Sequence, residues 1–286
     1  MRIVDTVEDF VNHYQPTPEY LDQYYHQFQA DYDVYFSHHC LHIETKKRAA
    51  LKKHPPKLPE LLSMRDLFLE HIPKILQRYE AMFDVNYTKT VRLLVGLYGS
   101  NAFVYQQYHP DVAFCLEKIP YNETYIKIII AHEFGHVMHH LYNDIYSQDW
   151  HLVNWTHPYT WLLQEGIATT LSTLLVEARL DEHFAFEEDR KWLDFAQKNE
   201  RLIATQFLCD MRTINDSHTI FKEWFSINGG KTFNQTRLGY YLGYQIVNSL
   251  LSQYDIKETF TIWKEDDFVS IMEHELRNMI MTDNRV

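Results

Sequence analysis

Asn122-Glu123-Thr124-Tyr125-Ile126-Lys127-Ile128-Ile129-Ile130-Ala131-His132-Glu133-Phe134-Gly135-His136-Val137-Met138-His139-His140-Leu141-Tyr142 is the stretch that decides how this chain is to be understood. Ile126, Ile129, Ile130, Phe134, Val137 and Leu141 recur at helical spacing, which predicts a helix from Glu123 to about Tyr142 with Asn122, just after Pro120, as its N-cap. His132 and His136 stand four apart within it, so both imidazoles rise on one face and can reach one cation. Glu133, rotated to one side, can reach a water on that cation. An apolar helix is a costly place for closely spaced ionisable groups unless a metal or a partner satisfies them. Of the 17 histidines, His38, His39, His42, His139 and His140 read as ordinary surface or core residues.

A catalytic zinc site takes three protein ligands and keeps one position open, so a third ligand has to come from elsewhere. Thr156-His157-Pro158-Tyr159-Thr160-Trp161-Leu162-Leu163-Gln164-Glu165-Gly166-Ile167-Ala168 supplies a carboxylate. Pro158 suits a helix start. Glu165 falls among Trp161, Leu162, Leu163, Ile167, Leu171 and Leu174, on or beside an apolar surface where a carboxylate wants a cation, and Gly166 lets this helix approach another closely. Glu177, Asp144, Asp149 and His157 are the alternatives, and none has this setting. The expected ligands of a Zn2+ ion are therefore His132, His136 and Glu165, with Glu133 as general base. The metzincin pattern would need Gly at position 139 and His at position 142; the chain has His139 and Tyr142 there.

These residues resemble the gluzincin metallopeptidases, which carry His-Glu-x-x-His on one helix and Glu on the next. Glu165-Gly166-Ile167-Ala168 looks like their Glu-Gly-aliphatic-Ala version, and the interval from His136 to Glu165 leaves room for a loop from about Asn143 to Thr156. The likeness is nearest to a small bacterial domain family described as predicted zinc-dependent proteases, whose Gly-Tyr-x-x-Gly-Tyr helix resembles Gly239-Tyr240-Tyr241-Leu242-Gly243-Tyr244. It covers about Val91 to Leu251. The resemblance implies a zincin-like domain and peptide-bond hydrolysis. It also implies that Tyr240, three residues before Gly243, stabilises the oxyanion, with Tyr244 and Tyr241 as the neighbouring candidates. Related aminopeptidases hold the substrate amine with a Glu on an upstream strand; the matching Gly99-Ser100-Asn101-Ala102-Phe103 lacks it, and Glu117 on the next strand is a substitute.

Outward from the motif, Val91–Leu97, Ala102–Tyr105 and Val112–Leu116 are short β-prone runs separated by turn residues, and either of the last two could pair with an extended substrate. From Pro120 onward the chain reads as helix, with breaks near Ser147 to Asn154, Asp181 to Phe186, Ser226 to Lys231 and Tyr254 to Asp255. Upstream, Pro18 to Lys53 reads as a long polar helix stopped by the prolines at 55, 56 and 59. A second helix, Glu60 to Phe83, carries an apolar stripe and a kink at Pro73. With 8 Gly and 9 Pro in 286 residues and 15% aromatics, the expectation is an α+β, mostly helical protein. It comprises a helical N-terminal extension over 1–88 and a zincin-like catalytic domain with a small sheet over 89–286.

The formal charge of −12 repels phosphate backbones, which argues against nucleic acid as a partner. Cys40, Cys115 and Cys209 are odd in number and lack CxxC spacing, suggesting neither a disulfide framework nor a thiolate metal site. The N-terminus has no signal-like apolar core, and no apolar run approaches the ~20 residues a bilayer requires, so a cytoplasmic location without membrane contact is expected. The expected function is a zinc-dependent peptidase acting on a peptide or protein substrate. The alternative is a non-proteolytic zinc-binding regulatory or interaction protein on the same fold.

Overall fold

In the computed structural model, which describes residues 1–106 and 109–281, a four-stranded mixed sheet is set among helices. Its strands are β1 (Arg2–Asp5), β2 (Thr90–Leu94), β3 (Ala102–Gln106) and β4 (His109–Cys115), in the order β1-β2-β4-β3. β1 and β4 both run parallel to β2, whereas β3 is antiparallel to β4 with an irregularity between Val104 and Gln106. β4 is therefore paired on both sides, and β3 is an edge. The three β-prone runs of the sequence became β2, β3 and β4. Arg2–Asp5 carried no strand signal, because four residues with a charge at each end fit many conformations. Pairing Ile3 with Val91 and Val4 with Arg92 makes them a strand.

Between β1 and β2 come α1 (Val7–His13), α2 (Pro18–Gln27), α3 (Gln29–Val34), a π-helical turn (Tyr35–His39) and α4 (Ile43–Phe83). The expected single helix from Pro18 to Lys53 is thus corrected to several shorter pieces. The expected stop at Pro55, Pro56 and Pro59 does not occur either. α4 is one helix of 41 residues that contains all three prolines and Pro73. Every one of these prolines lies on its exposed side, where water can satisfy the carbonyls that lose an N–H partner. The buried stripe Ala50, His54, Leu61, Met64, Phe68, Ile72, Ile75, Tyr79 continues past them, and burial along that stripe outweighs the local penalty.

After β4 a 3₁₀ turn (Leu116–Lys118) leads to α5 (Glu123–Ile145). Then follow α6 (Pro158–Leu175), α7 (Leu180–Ala185), α8 (Arg190–Lys198), α9 (Glu200–Thr213), α10 (Ser217–Trp224), α11 (Leu238–Gln253), α12 (Ile256–Thr261), a 3₁₀ turn (Ile262–Lys264) and α13 (Phe268–Met281). The breaks expected near Ser147 to Asn154, Ser226 to Lys231 and Tyr254 to Asp255 are present. Asp181 to Phe186 is instead mostly the short helix α7, closed at its start by the Glu182 carboxylate accepting the Arg179 N–H at 2.9 Å. No described helix is long and apolar enough to cross a membrane.

Contact density divides the chain into two units, Met1–Val137 and Met138–Val286, a division that falls within α5. In the first unit α4 covers the sheet through contacts such as Phe68 on Phe114, with ring centroids 4.9 Å apart. In the second, α6 and α11 meet at their backbones. A Cβ placed on Gly166 would lie 2.2 Å from the Gly243 carbonyl oxygen, and one on Gly243 would lie 2.2 Å from the Leu162 carbonyl oxygen. Only glycine at both positions permits that approach.

Candidate metal centre

α5 begins as its sequence dictates. The Asn122 carboxamide oxygen accepts from the Thr124 and Tyr125 N–H groups at 2.9 and 3.2 Å, satisfying two donors of the first turn. The motif segment is then buttressed from α4 and the chain following it. Tyr79 donates its hydroxyl to the Ala131 carbonyl at 2.7 Å, one residue before His132, and the Tyr87 ring stands edge-on to Phe134 at 5.3 Å and 89°. Neither support has a local signal, because both partners are far away in sequence.

His132, His136 and Glu165 each contribute one donor atom to a group whose atoms all lie within 4.8 Å of one another, the sole such group among the described residues. The two imidazoles stand nearly perpendicular, 87° apart with centroids at 4.9 Å. Zinc bonds of about 2.0–2.1 Å in a tetrahedron hold ligand atoms ~3.4 Å apart, so side-chain torsions need to close the widest gap by at most about 1.4 Å. Two imidazole nitrogens and one carboxylate oxygen could hold a divalent ion, and they are a donor set of the kind zinc takes. His132 is 2% exposed, whereas His136 and Glu165 are half-buried, so solvent reaches part of the group. Glu133 adjoins His132 on α5 and is 8% exposed.

The other carboxylates and histidine weighed as a third ligand are engaged otherwise or lie outside the group. Asp144 accepts the Trp150 indole N–H at 2.7 Å, and Asp149 accepts the His151 backbone N–H at 3.0 Å. His157 caps α6, its Nδ1 accepting the Tyr159 N–H at 3.2 Å, and burial lowers its pKa. Glu177 is exposed, outside the donor group.

The tyrosines of α11 separate by their partners. Tyr241 is buried and donates its hydroxyl to the Glu200 carboxylate, while Gln245 donates to it at 2.9 Å; burial and that neighbouring carboxylate raise its pKa far beyond the ordinary value. Tyr241 is thereby committed to structure. Tyr240, half-buried in the first turn, packs its ring 6.3 Å from Phe225, and Tyr244 stands edge-on to Phe184 at 5.4 Å. Glu117 lies in the 3₁₀ turn rather than on a strand. Its carboxylate accepts the Tyr98 N–H at 3.0 Å, and burial pushes its pKa up to about 7. It clamps the loop between β2 and β3, where a Cβ on Gly96 would lie 2.4 Å from the Tyr35 hydroxyl and 2.9 Å from Glu117 Oε1.

No family model, curated protein or solved structure matches the chain. The site is therefore argued from its own geometry. The three residues singled out by their spacing are the ones whose donor atoms gather here, whereas nothing in the sequence pointed to Tyr79 or Tyr87. His139 and His140, read from the sequence as ordinary surface or core residues, are 0% and 4% exposed on α5. Their burial could have been suspected from the apolar run around them. Cys40, Cys115 and Cys209 are free thiols.

Proposed function

We propose that this protein is a zinc-dependent peptidase of zincin-like fold, with His132, His136 and Glu165 as metal ligands and Glu133 as general base. One observation carries the reading: two imidazoles and a carboxylate, from two helices, present their donor atoms within 4.8 Å, and a glutamate adjoins the first of them. A zinc ion held there would supply Lewis acidity, lowering the pKa of a water toward ~7 and polarising a carbonyl. Glu133 takes a proton at its carboxylate from the attacking water and delivers it to the departing amine. Its low exposure limits competing solvation of that carboxylate. Tyr240 donates its hydroxyl to the oxyanion, an interaction worth up to a few kcal/mol. Because β4 is paired on both sides, the peptide or protein substrate adds as a strand at the β3 edge. The −12 charge and the lack of a membrane-spanning helix among the described residues favour neither a nucleic-acid nor a membrane partner.

The test is zinc stoichiometry together with cleavage of a mixed peptide library by wild type and Glu133→Gln. One zinc per chain in both proteins is expected. Cleavage by the wild type should fall by roughly 10²–10⁴-fold in the variant. Zinc in both with cleavage by neither would favour a non-proteolytic zinc-binding protein. No stoichiometric zinc in either would remove both readings.

A further inference from the structure

His140 lies one helical turn beyond His136, and Gln164 immediately precedes Glu165. The side-chain amide of Gln164 and the Nε2 of His140 are 3.4 Å apart, so an amide N–H donates to the ring and joins α5 to α6. This link sits one turn from one donor and one residue from another. A helix is stiff over that distance, so whatever fixes His140 against Gln164 also fixes how far apart α5 and α6 hold their ligands.

Three of the chain's six tryptophans enclose His140. Trp150 and Trp155 present edges to the ring at 5.5 and 5.9 Å, and Trp263 lies nearly parallel to it at 6.2 Å. Each of these tryptophans is itself tied down, two by the indole and one by the backbone. Trp150 donates to Asp144 at 2.7 Å and Trp263 to the Asn143 carboxamide oxygen at 2.8 Å, while the Trp155 carbonyl accepts the Trp161 indole N–H from α6 at 2.8 Å. Beside them His139 stacks on Trp263 at 4.1 Å, and the Phe260 carbonyl lies 2.8 Å from both the His139 Nε2 and the Asn143 amide nitrogen. The loop between α5 and α6 and the 3₁₀ turn that carries Trp263 thus form a wall around one histidine.

A purely apolar core would not require this. Burying a hydrogen-bonding ring among indoles costs free energy unless the bond is made, so the arrangement is directional, and direction is what a ligand pair on two helices needs. We propose that His140 and Gln164, held by Trp150, Trp155 and Trp263, are positioning residues that preset the separation of His136 and Glu165 for a divalent ion. The inference rests on the metal reading above. It assigns these residues no contact with substrate.

The experiment measures zinc affinity by chelator competition and the visible spectrum of the Co2+-substituted protein, each beside the melting temperature of the metal-free protein. Four variants are compared with wild type: Gln164→Leu, Gln164→Ala, His140→Leu and His140→Gln. Gln164→Leu and His140→Leu should weaken zinc binding about 10–100-fold and alter the Co2+ spectrum, as loss of outer support for metal ligands does elsewhere. Gln164→Ala should behave alike. His140→Gln, whose carboxamide oxygen can still accept from Gln164, should recover part of the affinity. A role confined to packing predicts lower melting temperatures with affinity and spectrum unchanged, and that result would overturn the proposal. Should His140→Leu not fold, the half-buried Gln164 variants decide the matter alone. Wild type that binds zinc while all four variants match it refutes only the positioning role. Wild type that binds no zinc refutes the metal reading, and this inference falls with it.

Discussion

Gly166→Ala tests the backbone-to-backbone contact between α6 and α11 and, through it, the placement of Glu165. The added Cβ would meet the Gly243 carbonyl oxygen at 2.2 Å, its carbon at 2.4 Å and Val247 Cγ2 at 2.8 Å. Ordinary contact begins at 3.4 Å, so α6 and α11 have to part by 3.4 − 2.2 = 1.2 Å along that line. The obstacle is backbone, which has no rotamer to yield. Overpacking of this kind costs about 1–3 kcal/mol, and a backbone obstacle puts it at the upper end. Alanine returns ~1 kcal/mol through its better helix propensity. The net loss is about 2 kcal/mol, or a melting temperature lower by roughly 4–8 °C for a chain of this size. Glu165 adjoins the substituted position, so zinc affinity measured by chelator competition should fall by at least about tenfold. Leu174→Ala, at a 58% exposed position of the same helix, is the control and should stay within about 0.5 kcal/mol of wild type. If Gly166→Ala melted at or above the wild-type temperature and bound zinc equally well, propensity alone would be acting and the close backbone contact would be refuted.

Four further outcomes are expected. His54 is fully buried, neither ring nitrogen has a hydrogen-bond partner among the described residues, and burial lowers its pKa to about 4. The unfolded ring takes its proton near 6.5, so the unfolded state binds more protons between those values and stability falls as pH drops through them, by at most ~3 kcal/mol. Denaturant midpoints should show that His54→Leu flattens this slope while costing little at pH 7. Glu117→Gln should flatten the opposite one, because a folded pKa raised to about 7 gives stability that is full below pH 4.5 and lost as pH rises through 7. Pro73→Ala, on the exposed side of α4, restores an N–H for the Leu69 carbonyl and should raise stability by about 1–3 kcal/mol in urea unfolding; an unchanged midpoint would mean that the helix is already solvated at a kink. Tyr240→Phe should lower kcat at least tenfold with KM little changed, whereas Tyr241→Phe should cost about 1 kcal/mol of stability through the lost bond to Glu200 and leave kcat alone.

Where a segment carries its own periodicity and its own cap, local sequence was enough. Helix α5 with Asn122 at its start, α6 with Pro158 in its first turn, and the strands β2 to β4 could all be read directly. The two histidines four apart were equally legible, since their common face follows from the helical repeat. Where the deciding partner is distant, sequence was silent or misleading. The prolines at 55, 56 and 59 announced a stop that burial along α4 overrode, and Arg2–Asp5 became a strand only because β2 was there to pair with it.

The chain by itself determined that His132, Glu133 and His136 share a helix, that Glu165 sits on an apolar segment beginning at a proline, and that a glycine at 166 permits close packing. Only tertiary structure shows the Glu165 donor atom within 4.8 Å of those of the two imidazoles, Tyr241 spent on Glu200, and His140 walled in by three indoles. The reason is physical. Periodicity and capping act over a few residues through the backbone's own geometry, whereas coordination and packing depend on which elements, far apart along the chain, exclude water from the same volume.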